Sequence, residues 1–192
     1  MGFLQDYLPP SRKTMIIAIT SIMTALVCAV TFSFPILVNA LTGGYFNIGE
    51  IVIYIAAILF GPFIGGFAGG VGAALADAIV APQFIIGTLP IKFLEGFIVG
   101  YIVYTAKLKS WLKYWETWKE RGILILAVLI GGIVMVIGYF FYELTFWAIG
   151  DAIGEIPINI AQVLVGLGVA VPASIRIHSS IFPEERLSEK IN

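Results

Sequence analysis

One cysteine and one histidine leave this chain little from which to build a thiol enzyme or a metal centre. Cys28 lies in an apolar run and has no second cysteine, which excludes an intramolecular disulfide. His178 falls at the end of the last apolar run, where the carbonyls of a helix C-terminus favour a cation. Capping accounts for it better than metal ligation does. Nucleotide and hydrolase signatures are missing too. There is no GxxxxGK[ST] loop, so the chain does not hydrolyse ATP by that route, and neither HExxH nor GxSxG occurs. No catalytic residue, cofactor, metal ion or nucleic-acid partner is expected. Charge is also scarce. Charged residues make up 12% of the chain, where soluble domains carry about one quarter. With 59% hydrophobic residues, the chain reads as an integral membrane protein.

What is present is apolar sequence in spans. A membrane-crossing helix takes about 20 residues, so 192 residues have room for five or six such helices and little else. The expected fold is all-α, a compact bundle of six transmembrane helices in a single domain, residues 1–192, with no convincing internal repeat. The first span runs roughly 14–38 and is ended or kinked by Pro35. The run Glu50–Phe60 is short for a crossing. The third span runs roughly 62–80, the fourth 88–106, the fifth 122–149 and the sixth 157–177. Lys107–Arg121 (KLKSWLKYWETWKER) is amphipathic. Trp111, Trp115 and Trp118 share one face with lysines opposite, which suits the headgroup plane. Asp151 and Glu155 are placed in the loop after the fifth span.

Glycine is abundant where charge is not. Gly61, Gly65, Gly69, Ala73 and Asp77 recur every four residues, and Gly66, Gly70, Ala74 and Ala78 form a second stripe beside them. On a helix these are adjacent faces almost without side chains, open to close approach by neighbouring helices. Packing alone accounts for the glycines. In the first span Ser21, Ala25 and Ala29 make a similar smooth stripe, suited to a helix partner inside or outside the protein.

The distribution of lysine and arginine sets an orientation. With six spans, Arg12, Lys13, Lys107, Lys109, Lys113, Lys119, Arg121, Arg176, Arg186 and Lys190 all fall on one side and none on the other, with Lys92 inside a span. Both termini should then be cytoplasmic. Given that orientation, the polar intramembrane residues gather in the outer half. Asn47 and Glu50 flank the first outer loop, and Tyr54 follows one turn later. Asp77 lies near the outer end of the third helix, Lys92 and Glu95 near the outer start of the fourth. Tyr139, Glu143 and Trp147 repeat every four residues on the fifth, and Asn159 and Gln162 open the sixth. Tyr45, Phe46 and Phe84 lie in or beside the outer loops. The inner halves are almost purely aliphatic. This is the pattern of a cup above a dry floor, not of a pore.

A buried charge at mid-bilayer costs about 3 to 15 kcal/mol, so such residues are kept for pairing or for use. Lys92 and Glu95 could pair with each other, or Asp77 could be the lysine's partner, or all three could meet a ligand. For Glu50, loop solvation or an N-terminal helix charge is the simpler account, and for Asn159 and Gln162, interhelical hydrogen bonds. The aromatic residues among these polar anchors suit a flat heterocycle, which stacks on rings and hydrogen-bonds at its edge. The alternative for Trp147 is the interfacial aromatic belt.

The stretch FNIGEIVIYIAAILFGPFIGGFAGGVGAALADAI, followed by IKFLEG, and the AxxxA of Ala25 and Ala29, resemble the substrate-binding S components of energy-coupling factor (ECF) vitamin transporters, in the branch of riboflavin-type and hydroxymethylpyrimidine-type members. The resemblance runs from Thr14 to about Ile177. It implies a subunit of the cell membrane that binds a vitamin or precursor at its outer face. A separate transmembrane T component and two cytoplasmic ATPases would energise uptake. Ala25 and Ala29 would face the T component, and the loop Asn39–Gly49 would be a lid. It does not imply which vitamin: flavin, pyrimidine, pyridine and pantothenate ligands are all compatible. Two other classes stay open. One is a self-sufficient ion-coupled carrier or channel with Asp77, Lys92 and Glu95 as its relay. The other is a purely structural membrane subunit.

Overall fold

A computed structural model describes residues 10–108 and 117–181 of the chain. Six helices make up almost all of these: α1 Pro10–Ser33, α2 Gly49–Phe60, α3 Pro62–Val80, α4 Ile85–Leu108, α5 Trp118–Glu143 and α6 Ile149–Ile181. An antiparallel hairpin, β1 Ile36–Asn39 and β2 Gly44–Phe46, links α1 to α2. One 3-10 turn, Pro82–Phe84, links α3 to α4. The expected helical bundle is what forms, with five helices long and apolar enough to cross a membrane. The sixth, α2, has 12 residues and would reach only about 18 Å. It is sunk into the bundle instead, with Val52, Ile53, Tyr54, Ala56, Ala57 and Ile58 buried.

Helix α3 is the centre of the bundle and packs on α1, α2 and α4. Its small faces permit this. A Cβ at Gly96 on α4 would lie 2.6 Å from the carbonyl carbon of Gly65, and one at Gly72 would lie 2.6 Å from the backbone oxygen of Thr24 on α1. The glycines of these stripes are therefore helix contacts. At the tight turn into α3, Gly61 has φ 92°, a left-handed conformation that disfavours other residues. Pro62 then starts the helix, where its missing N–H costs nothing.

Several boundaries differ from expectation. Helix α4 begins at Ile85, not near residue 88, and α5 begins at Trp118, not near 122. Thr117 caps α5, accepting from the Glu120 N–H (3.3 Å), while its own N–H donates to Glu120 Oε2 (3.0 Å). Trp118 and Arg121 thus belong to a spanning helix. Trp111 and Trp115 of the proposed interfacial segment lie outside the described residues, as do Lys109, Lys113, Arg186 and Lys190. Helix α5 ends at Glu143, so Trp147 lies beyond it. Asp151 and Glu155, expected in a loop, are on α6. That helix starts eight residues early and carries Pro157 and Pro172 inside it. Proline inside a helix is tolerated here because neighbouring helices and local adjustments satisfy the freed carbonyls.

Two hydrophobic clusters divide the bundle along its length. The larger joins Ile58 of α2, Val99 and Val103 of α4, Leu124 and Val128 of α5 and Val171 of α6. The smaller, at the hairpin end, includes Phe84, Ile91, Met135, Tyr139 and Val163. Between α5 and α6 an aliphatic groove of about 210 Å³, lined by Ile133, Ile137, Ile160 and Leu164 among others, has no polar lining. Helix α1 is the most exposed of the long helices. Ser21, Ala25 and Ala29 all point outward from it.

Candidate functional site

Polar residues of all six helices and of β2 meet in one cavity beneath the hairpin, Thr31 from α1 and Tyr45 from β2 among them. Glu50 comes from α2, Asp77 from the last turn of α3, and Thr88 and Lys92 from α4. Tyr139 and Glu143 come from the last turns of α5, and Glu155, Asn159 and Gln162 from the first turns of α6. Each side chain is at the same end of its helix, because the helices alternate in direction and each carries its polar residues near the hairpin. The cavity is small: its volume is about 40 Å³, room for water but not for an aromatic ring.

At its base lies a buried ion cluster. The Lys92 ammonium donates to Glu50 Oε1, and to Glu95 Oε2 at 3.2 Å. All three residues are 4% exposed or less, a burial that ions tolerate only when paired and hydrogen-bonded. Tyr54 donates to Glu95 Oε1 at 2.6 Å. The ammonium also sits 5.6 Å from the centre of the Tyr139 ring, within cation–π range. Glu50 is therefore not a solvated loop charge, as its position at the start of α2 suggested. It closes the lysine's charge across 42 residues of sequence. Glu95 and Tyr54 lie behind this layer and do not line the cavity.

Asp77 is not the lysine's hydrogen-bond partner. It accepts from the Tyr45 hydroxyl at 2.5 Å, which ties β2 to α3. Burial, and after it the Asp77 carboxylate, hold the Tyr45 phenol well above its ordinary pKa, so it stays a donor. Thr88 and Tyr139 share a hydrogen bond of 2.9 Å.

The hairpin is fastened at two further points. Thr42 in its turn donates to Glu155 Oε1 at 2.5 Å, and a Cβ at Gly44 would collide with that same carboxylate. Gln83 donates to the Thr42 carbonyl at 3.0 Å. At the hinge with α2, Gln162 Oε1 accepts from the Asn47 side chain (2.7 Å) and backbone (3.1 Å), while its amide donates to Asn159 (3.2 Å). The expected interhelical hydrogen bonds of Asn159 and Gln162 are instead one bond within α6 and two to the Asn47 loop, and both residues line the cavity.

The aromatic residues gather on one wall. Phe84 lines the cavity and stacks on Trp147, centroids 5.4 Å apart and planes 20° apart. Tyr139 meets Phe84 edge to face at 6.3 Å. Trp147 thus backs the wall from outside the cavity, although it has left the helix that carries Tyr139 and Glu143.

Thirteen residues of the reading from sequence converge here or directly behind, Tyr45 among them. The residues missed are Thr31, Thr42, Gln83, Thr88 and Glu155. Two of these had a visible signal. Phe84, Thr88, Lys92 and Glu95 share one helical stripe, and so do Asp151, Glu155, Asn159 and Gln162, once Pro157 is allowed inside a helix. Thr42 had none, since its role depends on where a hairpin tip lands. Among the described residues, no cluster of three or more His, Cys, Asp and Glu is arranged to hold a metal ion.

Comparison with known proteins bears on this cavity. The family model described as "ECF-type riboflavin transporter, S component" matches residues 11–179. A Pyrococcus woesei protein designated "Uncharacterized protein in gap 3'region" is 42% identical over 124 residues, 65% of this chain and 76% of that protein. The thiamine precursor transporter HmpT of Lactococcus lactis subsp. cremoris (strain MG1363) is 29% identical over 160 residues, 83% of each chain. Among solved structures, ThiT from Listeria monocytogenes superposes with a TM-score of 0.57 at 20% identity, covering 93% of this chain and 97% of that one. This last likeness is one of fold.

Proposed function

The chain belongs to the family of ECF-type riboflavin transporter S components, and on that premise we propose that it captures a water-soluble vitamin or vitamin precursor for import. It is a multi-pass membrane protein, and the cell membrane is its proposed location. The observation that carries this reading is the one-ended cavity. Polar and aromatic side chains from α2 to α6 converge under a hairpin, and the interior below Tyr54 and Glu95 is mostly aliphatic, with Ser174 and, at the start of α5, Glu120 as its buried polar residues. A binding subunit needs such a cup. A self-sufficient ion-coupled carrier would need polar groups along its full depth.

The substrate-binding residues in this reading are Asn47, Glu50, Asp77, Phe84, Lys92, Tyr139, Glu143, Asn159 and Gln162. Tyr54, Glu95 and Trp147 hold them from behind. The cavity volume of about 40 Å³ requires the hairpin to move before a ring can enter, so Thr42, Gln83 and Tyr45 act as its latches. The lysine and arginine asymmetry puts the hairpin outside the cell. Uptake then needs energy from elsewhere, because the sequence carries no P-loop. The proposed partners are a transmembrane T component, docked on the outward stripe Ser21, Ala25 and Ala29, and two cytoplasmic ATPases.

Two measurements test this. Purified protein is expected to bind one compound from a panel of vitamins and precursors, and to co-purify with a T component and ATPases on co-expression. A panel with no thermal shift, together with failure to co-purify, refutes the reading.

A further inference from the structure

The outward face of the hairpin is not built for water. A strand with one face on a core and one in solvent alternates apolar and polar residues. Strand β1 does not. Ile36, Leu37 and Val38 are all apolar, and with Phe34 before them and Leu41 in the turn they are 48–77% exposed. No Asp, Glu, Lys or Arg occurs from Thr14 to Gly49. Single exposed apolar residues need no explanation, but a contiguous patch marks an interaction surface.

The patch is part of a belt. At the same end of the bundle Ile79 lies in the last turn of α3 and Ile86 in the first turn of α4. Phe146 follows α5, and Ile149 and Ile153 open α6, all of them exposed. Neighbouring helices pack in the order α1, α3, α4, α5, α6, so an exposed apolar side chain stands at the hairpin end of each. Trp147, 5.7 Å from the Phe146 ring, is of a residue type that favours the membrane–water boundary. Among the described residues at this level, Asp151 has the only charge that is not buried. The opposite end differs, because Arg12, Lys13 and Lys119 are exposed there. A protein partner covers one side of a bundle. A belt on every side fits a lipid leaflet.

Helix length and strand pairing set the depth. Helix α1 continues for about 20 residues past Lys13, or about 30 Å, which is the thickness of the hydrocarbon core. The hairpin therefore starts where that core ends. Strand β1 pairs on one side only, with β2. A bare strand edge does not occur within hydrocarbon, whereas water and headgroups satisfy it at the boundary. We infer that the hairpin is an interfacial anchor. Phe34, Ile36, Leu37, Val38 and Leu41 lie against the upper acyl chains of the leaflet on their side, with the edge of β1 among the headgroups. The patch carries no charge, so it makes no demand on headgroup charge. The hairpin is then held on both faces, by lipid outside and by Glu155 and Asp77, through Thr42 and Tyr45, inside. This anchoring is independent of what the cavity binds.

The test is fluorescence quenching on the full chain in phosphatidylcholine nanodiscs, which leave both faces open to water. Leu41→Cys and Leu37→Cys, each with Cys28→Ala, are labelled with an environment-sensitive dye. Arg12→Cys, at the charged start of α1, serves as the water-side control. Ile133→Cys, exposed in the middle of α5, serves as the deep control. At Leu41 and Leu37 the emission should be blue-shifted from that at Arg12. A nitroxide near the top of the acyl chain should cause a larger loss of fluorescence there than one near its end, and iodide in the water should cause little. Ile133 should show the opposite preference between the two nitroxides. Emission and iodide quenching like those at Arg12 would place the hairpin in water and overturn the inference. A label shielded from nitroxides and iodide alike would mean that protein, such as a second copy of this chain, covers the face, and would also overturn it. Quenching chiefly by the deep nitroxide would overturn the boundary placement. None of these outcomes touches the transport reading.

Discussion

At the end away from the hairpin, Ile58, Val103, Leu124 and Val128 pack together with glycine and alanine between the helices. At the hairpin end, α3 to α6 turn Asp77, Lys92, Glu143 and Glu155 toward one another. Both ends carry buried side chains from the same helices, yet they are stabilised differently. The apolar end depends on close approach and dispersion, which are local and tolerate hydrophobic exchange if volume is kept. The polar end depends on partner choice, in which one missing group strands another. The lesson is that a helical bundle can gather most of its costly chemistry at one end and leave the other to rest mainly on fit.

The comparison can be broken most severely at the ion cluster. Lys92→Met leaves Glu50 and Glu95 buried without their cation. Removing one partner of a buried pair costs about 3–5 kcal/mol. Thermal unfolding in detergent should show a large loss of stability and ligand binding should vanish. Unchanged stability would mean that the two glutamates are not held as ions by this lysine.

The apolar end should break by volume instead. Gly96→Val puts a side chain where a Cβ would already lie 2.6 Å from the Gly65 carbonyl carbon. Overpacking of this kind costs about 1–3 kcal/mol. Reduced yield and a lower melting temperature are expected, and a change of polar residues elsewhere should not rescue them.

A smaller effect is expected at the latch. Thr42→Val removes the donor to Glu155 and leaves that carboxylate short of a partner, at about 1–3 kcal/mol. Read by stopped-flow binding, the hairpin should open more often and bound ligand should dissociate faster, with the fold intact. An unaltered dissociation rate would remove the latch role.

The smallest change to the chain itself should come from α1. Ala25→Leu adds bulk on an outward face, so stability should shift by no more than about 0.5 kcal/mol and ligand binding should hold. Uptake in cells carrying a T component and ATPases should nevertheless fail. Normal uptake would exclude this stripe as the docking face.

Much of this was readable without coordinates. The scarcity of charge forces the chain into a membrane, because 59% hydrophobic sequence cannot be hidden in a single soluble core of this size. Helical periodicity then placed Asp77, Lys92, Glu143, Asn159 and Gln162 at the same end of the bundle, since which end of a helix a residue occupies is a local property. The sequence also carried the four-residue spacing of the glycines, and with it the closeness of the α3 contacts.

Which acid neutralises Lys92 is not a local property. Glu95, three residues away, was visible. Glu50, 42 residues away, was read as a solvated helix start, and only the packing of α2 against α4 brings it to the ammonium. Glu155 was lost for a related reason. Pro157 reads as a helix start in isolation, and only the surrounding helices make a proline inside α6 affordable. Sequence fixes the solvent a segment needs and the face it presents. Pairing across the bundle is set by how the helices stack, because an ion or hydrogen bond acts over about 3 Å and no periodicity along one helix says what stands that close on another.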